Sequence, residues 1–293
     1  MMVEKPSKRL CTKPGPKRVV RARPCAGQRL TPQQLARNSR MLSVIIPVSN
    51  EEKTIGAVLR QVERLRPKEI IVIVNGCRDH TLEVVRSHPV TCVVYPFVLG
   101  HDVGRAVGAG EASGEVLLFA DGDIVVPAET LQAFANACYR GADIALNNAK
   151  PFFRQSAKLD AVAMATSYLN QMLSRPDLRC SSLSAVPHAM KQSAAAALGY
   201  ESLMVPPKAL AMAITNGLVV VQAESVNVFR RKPSPRIQEL ILGDHLEAIQ
   251  YVQRVKKSDR MYFADQFRRR DVFPHVEKAR FVSDRHVILP FGP

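Results

Sequence analysis

The sequence predicts an α/β fold, a central and mostly parallel sheet flanked by helices. Apolar, β-branched runs of strand length recur four times between residues 42 and 120. Helically spaced or small-residue segments separate them, as the crossovers of a parallel sheet require. Three of these runs lead into Asn50, Asn75 and Asp121, at the edge where such sheets bind ligands.

The first strand is read at 42–48, an apolar run closed by Pro47 and Asn50. A surface helix at 53–66 follows, with Ile55, Val58, Leu59, Val62 and Leu65 at helical intervals and Pro67 as its stop. The second strand, 69–74, ends at Asn75-Gly76. A short helix at 81–87 leads to a third strand at 90–95, and a small-residue helix at 103–112 to a fourth at 115–120 that runs into Asp121-Gly122-Asp123. Beyond it the pattern predicts a helix at 128–139, a strand at 144–148 and a long helix at 156–174. Helical segments at 185–199 and 207–216, extended ones at 218–223 and 225–229, and a last amphipathic helix at 237–255 complete the chain.

With 293 residues, 46% of them apolar, the chain can bury one sizeable core. Its net charge of +15 is uneven, because residues 1–40 hold eleven Lys and Arg against the single acid Glu4. That proline-containing tail is expected to be disordered. It is compatible with contact to an anionic membrane or with a solvated role, and nucleic acid is not an expected partner. The domain is expected over 41–256, a nucleotide half at 41–147 and an acceptor half at 148–256, followed by a basic extension at 257–293. Neither a signal-peptide core nor a run of about 18 apolar residues is legible, so the expectation is a cytoplasmic protein, at most peripheral to a membrane. Six scattered cysteines without a Cys-x-x-Cys pair speak against a zinc ribbon or disulfide framework.

Two aspartates separated by one residue can reach a single hard cation, and Gly122 allows close approach of a ligand. On local sequence alone Asp-Gly-Asp is also an ordinary turn. Its place after the fourth strand gives it weight. Arg105 is a permanent cation able to grip phosphate oxygens, and equally able to sit solvated on a helix.

Four motifs in order then carry a resemblance. Ser43-Val44-Ile45-Ile46-Pro47-Val48-Ser49-Asn50-Glu51-Glu52 resembles the opening strand of the family-two glycosyltransferases, which have the GT-A (Rossmann-like) fold. Asn75-Gly76-Cys77-Arg78-Asp79-His80-Thr81 is similar to that family's Asp-Gly-Ser-Thr-Asp-Gly-Thr turn. Gly104-Arg105-Ala106-Val107-Gly108 is similar to its Ala-Arg-Asn-x-Gly helix, and 114–123 to the strand leading into its metal-binding acids.

The resemblance implies a nucleoside diphosphate sugar as donor, Mg²⁺ or Mn²⁺ as cofactor, and an unidentified acceptor such as a cell-envelope or lipid-linked saccharide. It implies Pro47, Asn50, Glu51 and Asn75 around the nucleoside, Asp79 near the base, Arg105 near the diphosphate, and Asp121 and Asp123 at ribose and metal. Ser49 and Asn75 depart from the family's aromatic and aspartate at those positions, which leaves the base open. Inverting members place a Glu-Asp pair at a helix start where this chain has Val205-Pro206-Pro207-Lys208. Asp244, ahead of Glu201, is the candidate base, with the acceptor held between Cys180 and Asp244. His245 is a candidate third metal ligand or a plain helix residue, and a retaining mechanism without a base stays open. A nucleotidyltransferase and a transferase fold that binds a nucleotide sugar or a partner without turnover are the competing readings.

Overall fold

A computed structural model describes residues 41–153, 160–229 and 234–257. The expectations for the tail at 1–40, and for the C-terminal extension beyond Lys257, lie outside the described residues.

The first half follows the sequence pattern closely. Strand β1 (Leu42–Val48) leads to helix α1 (Ile55–Glu63), β2 (Glu69–Asn75) to α2 (Thr81–Arg86), β3 (Thr91–Tyr95) to α3 (Val103–Glu111), and β4 (Val116–Phe119) to α4 (Ala128–Tyr139). Strand β5 (Ile144–Leu146) and helix α5 (Ala161–Met172) come next. The second half continues with β6 (His188–Lys191), α6 (Gln192–Leu198), α7 (Pro206–Thr215), β7 (Val220–Gln222) and α8 (Pro235–Lys256).

The seven strands order as β3-β2-β1-β4-β6-β5-β7. β1 is parallel to β2 and β4, β2 to β3, and β5 to β7, while β6 runs antiparallel between β4 and β5. The expectation of a mostly parallel sheet is met. One core layer packs α1 and α4 residues such as Ile55, Leu59, Leu131 and Phe134 on Val44, Ile46 and Leu118. On the opposite face Ile45, Phe119 and Met190 meet Ala109, Leu198 and Leu210.

Two readings are corrected. The segment 185–199, expected as helix, is split: 188–191 is the antiparallel strand β6 and only Gln192–Leu198 is helical. Its run of small apolar residues suits either structure, and pairing His188 with Phe119 and Met190 with Leu117 buries His188, Ala189 and Met190. The segment 225–229 forms no strand; instead the Val226 N–H donates to Asn147 Oδ1 at 3.0 Å and Asn147 Nδ2 donates to the Val226 carbonyl at 2.9 Å. A buried amide thus takes the place of a ladder.

Helix α3 lies unusually close to β1 because its glycines face the strand. A Cβ on Gly104 would stand 2.9 Å from Pro47 Cβ, and one on Gly108 2.4 Å from Ile45 Cγ2. This approach brings Arg105 to the ends of β1 and β4.

Candidate functional site

The loops that follow β1, β2 and β3 are tied together at the carboxyl edge of the sheet. Asn50, in a left-handed conformation with φ 59°, accepts the Arg78 N–H on its Oδ1 at 2.8 Å. The Glu51 N–H donates to Thr81 Oγ1 at 2.7 Å and the Glu52 N–H to Asp79 Oδ2 at 3.1 Å, while Asp79 Oδ1 accepts the Thr81 N–H at 3.1 Å. Asp79 is thereby a clamp between two loops. Asn75 braces a third, its Oδ1 accepting the Leu99 N–H at 2.6 Å and its Nδ2 donating to the Gly100 carbonyl at 3.4 Å. The expected donor-binding residues Pro47, Asn50, Glu51, Asn75 and Asp79 therefore share one rim, where several of them hold the backbone in place.

Behind the rim the charged groups converge. Arg105 is only 6% exposed, with Nη1 2.5 Å from Asp102 Oδ1 and Nη2 donating to Asp121 Oδ1 at 3.2 Å. Burial opposes its charge, but Asp102 and then Asp121 hold the guanidinium protonated above its ordinary range. Glu51 packs on Gly122, and its Oε2 is buried without a hydrogen-bond partner. Burial first, then Asp123 and Asp121, push its carboxyl up to about 8.

The donor set of Asp121, Asp123 and Glu51 is all oxygen, the choice of Mg²⁺ and Mn²⁺. Burial, reinforced by repulsion from Asp123 and Asp121, holds the Glu51 proton, and a divalent cation would offset both, so these residues fit the group. Among the described residues no three His, Cys, Asp or Glu side chains are grouped closely enough to hold a metal ion between them. A cation here would complete its shell with diphosphate or water oxygens, as Mg²⁺ commonly does.

His245 is not brought into this cluster. It is buried between α5 and α8, its Nε2 paired with Thr166 Oγ1 at 2.8 Å and its Nδ1 with the Ile241 carbonyl at 2.7 Å. Both ring nitrogens are committed, and burial lowers its pKa. Its neighbour Asp244 is half-buried and near enough to Asp102 to feel its charge. Burial, then Asp102 and Glu247, push the Asp244 carboxyl up to about 6. Beside it Lys208 Nζ bridges to Glu247 Oε1 at 2.6 Å, fastening the start of α7 to α8.

The sequence reading gives no role to Asp102 or to His188. His188 is buried, stacked on Phe119 with ring centroids 4.8 Å apart, and burial together with Arg105 pushes it down to about 3. It nevertheless lines, with Arg105, Phe119, Leu183, Leu203 and Pro206, a cavity of about 10 Å³, room for about one water. Beside Cys180, Ser181 is fully buried, its Oγ accepting the Ala149 N–H at 3.1 Å and a Gln222 Nε2 proton at 2.7 Å. The spacing Asp102-x-x-Arg105, an i, i+3 pair on a helix start, was the available signal for Asp102.

Residues 43–171 match the family model described as Glycosyl transferase family 2. An undecaprenyl-phosphate 4-deoxy-4-formamido-L-arabinose transferase of Serratia proteamaculans is 27% identical over 132 residues, 40% of this chain and 40% of that protein. A cholesterol galactosyltransferase of Borreliella burgdorferi is 31% identical over 104 residues, 32% of this chain and 28% of that one. The chain thus spans well under half the length of these curated relatives. Glucosyl-3-phosphoglycerate synthase from Mycobacterium tuberculosis, in complex with Mn²⁺, uridine diphosphate and phosphoglyceric acid, superposes with TM-score 0.61 at 18% identity, over 77% of this chain and 84% of that one. Mannosyl-3-phosphoglycerate synthase from Rubrobacter xylanophilus gives 0.58 at 13% identity, over 80% and 82%. At such identities the likeness is one of fold.

Proposed function

We propose, from the premise that residues 43–171 place this chain in glycosyl transferase family 2, that it moves a sugar from a nucleoside diphosphate sugar to an acceptor hydroxyl. The observation that carries the reading is the convergence of Glu51, Arg105, Asp121 and Gly122 at the ends of β1 and β4, in contact through hydrogen bond, ion pair and packing.

Asp121 and Asp123 would hold a divalent cation against the diphosphate, and that cation supplies charge neutralisation on the departing nucleoside diphosphate. Arg105 adds a fixed positive charge on the same side. Rigid loops, closed by Asn50, Asn75 and Asp79, preorganise the rim so that little order is lost on binding. In the transfer the acceptor oxygen forms a bond to the anomeric carbon as the bond from that carbon to phosphate oxygen breaks. The acceptor proton passes to Asp244, whose raised pKa suits a base working near neutrality.

The relatives named for undecaprenyl phosphate and cholesterol make a lipid-borne acceptor the first class to test. Uridine diphosphate sugars are the first donors to test, on the strength of the mycobacterial fold neighbour. A screen of radiolabelled donors with and without Mn²⁺, reading both transfer and hydrolysis, checks the proposal. Metal-dependent release of nucleoside diphosphate supports it.

A second reading has one observation of its own. Pro206 and Pro207 open α7 where inverting relatives carry their Glu-Asp pair. A binding module without turnover would show metal-dependent donor binding and no release of nucleoside diphosphate over any acceptor.

A further inference from the structure

Asp102 stands at the N-cap of α3, where an aspartate ordinarily accepts a helix N–H on its side chain. It caps nothing: no side-chain hydrogen bond to the helix is made, and its backbone is left-handed at φ 62°. The side chain is buried and turned instead onto Arg105, Oδ1 lying 2.5 Å from Nη1, with the half-exposed His101 3.6 Å from Oδ2. Backbone geometry and capping are both given up to place one carboxylate beside one guanidinium. Asp121 is the other carboxylate supporting that charge, at the longer distance of 3.2 Å.

We propose that Asp102 is a positioning residue that gives Arg105 a counter-charge of its own, so that the Asp121 carboxylate can turn from Arg105 to a divalent cation. This rests on the metal reading given above. A buried guanidinium cannot remain without a counter-charge. With Asp102 neutralised, Arg105 would draw on Asp121 alone, and the cation would have to compete with it for the same oxygens. With Asp102 in place, Arg105 keeps a partner when Asp121 turns to the metal, and its positive charge stays at the site.

The test is a double-variant cycle on the full chain, with Mn²⁺ alone as the probe and free Mn²⁺ read by electron paramagnetic resonance. Asp102→Asn removes the charge and keeps a residue type that tolerates left-handed backbone. It is expected to weaken Mn²⁺ binding by about tenfold. Arg105→Gln is then expected to strengthen Mn²⁺ binding by a larger factor in the Asp102→Asn background than in the wild type, because it removes the competitor that Asp102 no longer restrains. Equal factors in the two backgrounds, the additive result of a simple field effect, overturn the proposal. So does an Asp102→Asn protein that is folded and binds Mn²⁺ like wild type. Should that variant fail to fold by circular dichroism, Asp102→Glu, which keeps the charge, carries the same cycle with a smaller expected loss. A wild-type chain that takes up no Mn²⁺ overturns the metal reading itself, a result separate from any difference between variants.

Discussion

Gly122 lies so close to Glu51 that a Cβ at position 122 would stand 2.0 Å from Glu51 Oε2 and 2.6 Å from Val48 Cγ1. The Asp-Gly-Asp turn and the end of β1 are thus one packed unit, and the middle residue has a steric reason to be glycine. Gly122→Ala is expected to push the Glu51 carboxyl out of its seat and tilt the turn, at a cost of about 1–3 kcal/mol. Thermal unfolding without metal gives the stability loss. A Mn²⁺ titration is expected to show weakened binding. An alanine variant with unchanged stability and metal affinity would mean that the two segments do not pack as described.

Glu51 makes the ligand-free site a source of pH-dependent instability. Its folded-state pKa of about 8 lies above the ordinary 4.5, so the folded protein holds this proton more tightly than the unfolded chain does. The contribution to stability is therefore full below pH 4.5 and is lost as pH rises towards 8. Glu51→Gln is expected to stabilise the metal-free protein at pH 8 by about 1–2 kcal/mol, after allowing for partial solvent screening. At pH 4.5 the gain is expected to vanish. Denaturant unfolding at both values measures it, and a gain independent of pH would assign the burial penalty to something other than charge.

Asp244 offers the clearest kinetic test of the proposed proton transfer from the acceptor. With its carboxyl raised to about 6, kcat/KM is expected to climb through pH 6 and level off above it. Asp244→Asn is expected to lower kcat by about 100- to 10,000-fold and to remove that limb, while donor binding changes little. A variant that retains wild-type kcat would leave a retaining mechanism, or another base such as Glu201, in its place.

The first half of the molecule was legible because its signals are local. Each strand from β1 to β4 is a short apolar run between turn residues, and the sheet edge gathers Asn50, Asn75 and Asp121 through topology alone. The resemblance rested on four motifs in this same stretch, from Ser43 to Asp123. The second half was less legible for physical reasons. In 185–199 small apolar residues satisfy helix and strand alike, and only pairing with β4 decides between them. Asn147, which stitches the 225–229 segment without a strand, acts through a contact 79 residues away. Asp102 was passed over because an aspartate before a helix ordinarily reads as a cap. Its true partner is evident only once α3 is seated on β1 through Gly104 and Gly108.

The final prediction separates His245 from the metal site by experiment. Its two ring nitrogens are held by Thr166 and Ile241 within a buried contact between α5 and α8. A ligand to a cation would need one of those nitrogens free and turned towards Asp121. His245→Leu keeps most of the apolar volume and removes both hydrogen bonds, leaving the Thr166 hydroxyl with the Val162 carbonyl at 2.8 Å as its partner. The expected outcome is a loss of about 1–3 kcal/mol in unfolding free energy. Mn²⁺ affinity is expected to stay within about twofold, because the charge near Asp121 and Asp123 is unaltered when a neutral imidazole is replaced. A large fall in Mn²⁺ affinity without a matching fall in stability would instead place His245 among the metal ligands, and would require α8 to turn on binding.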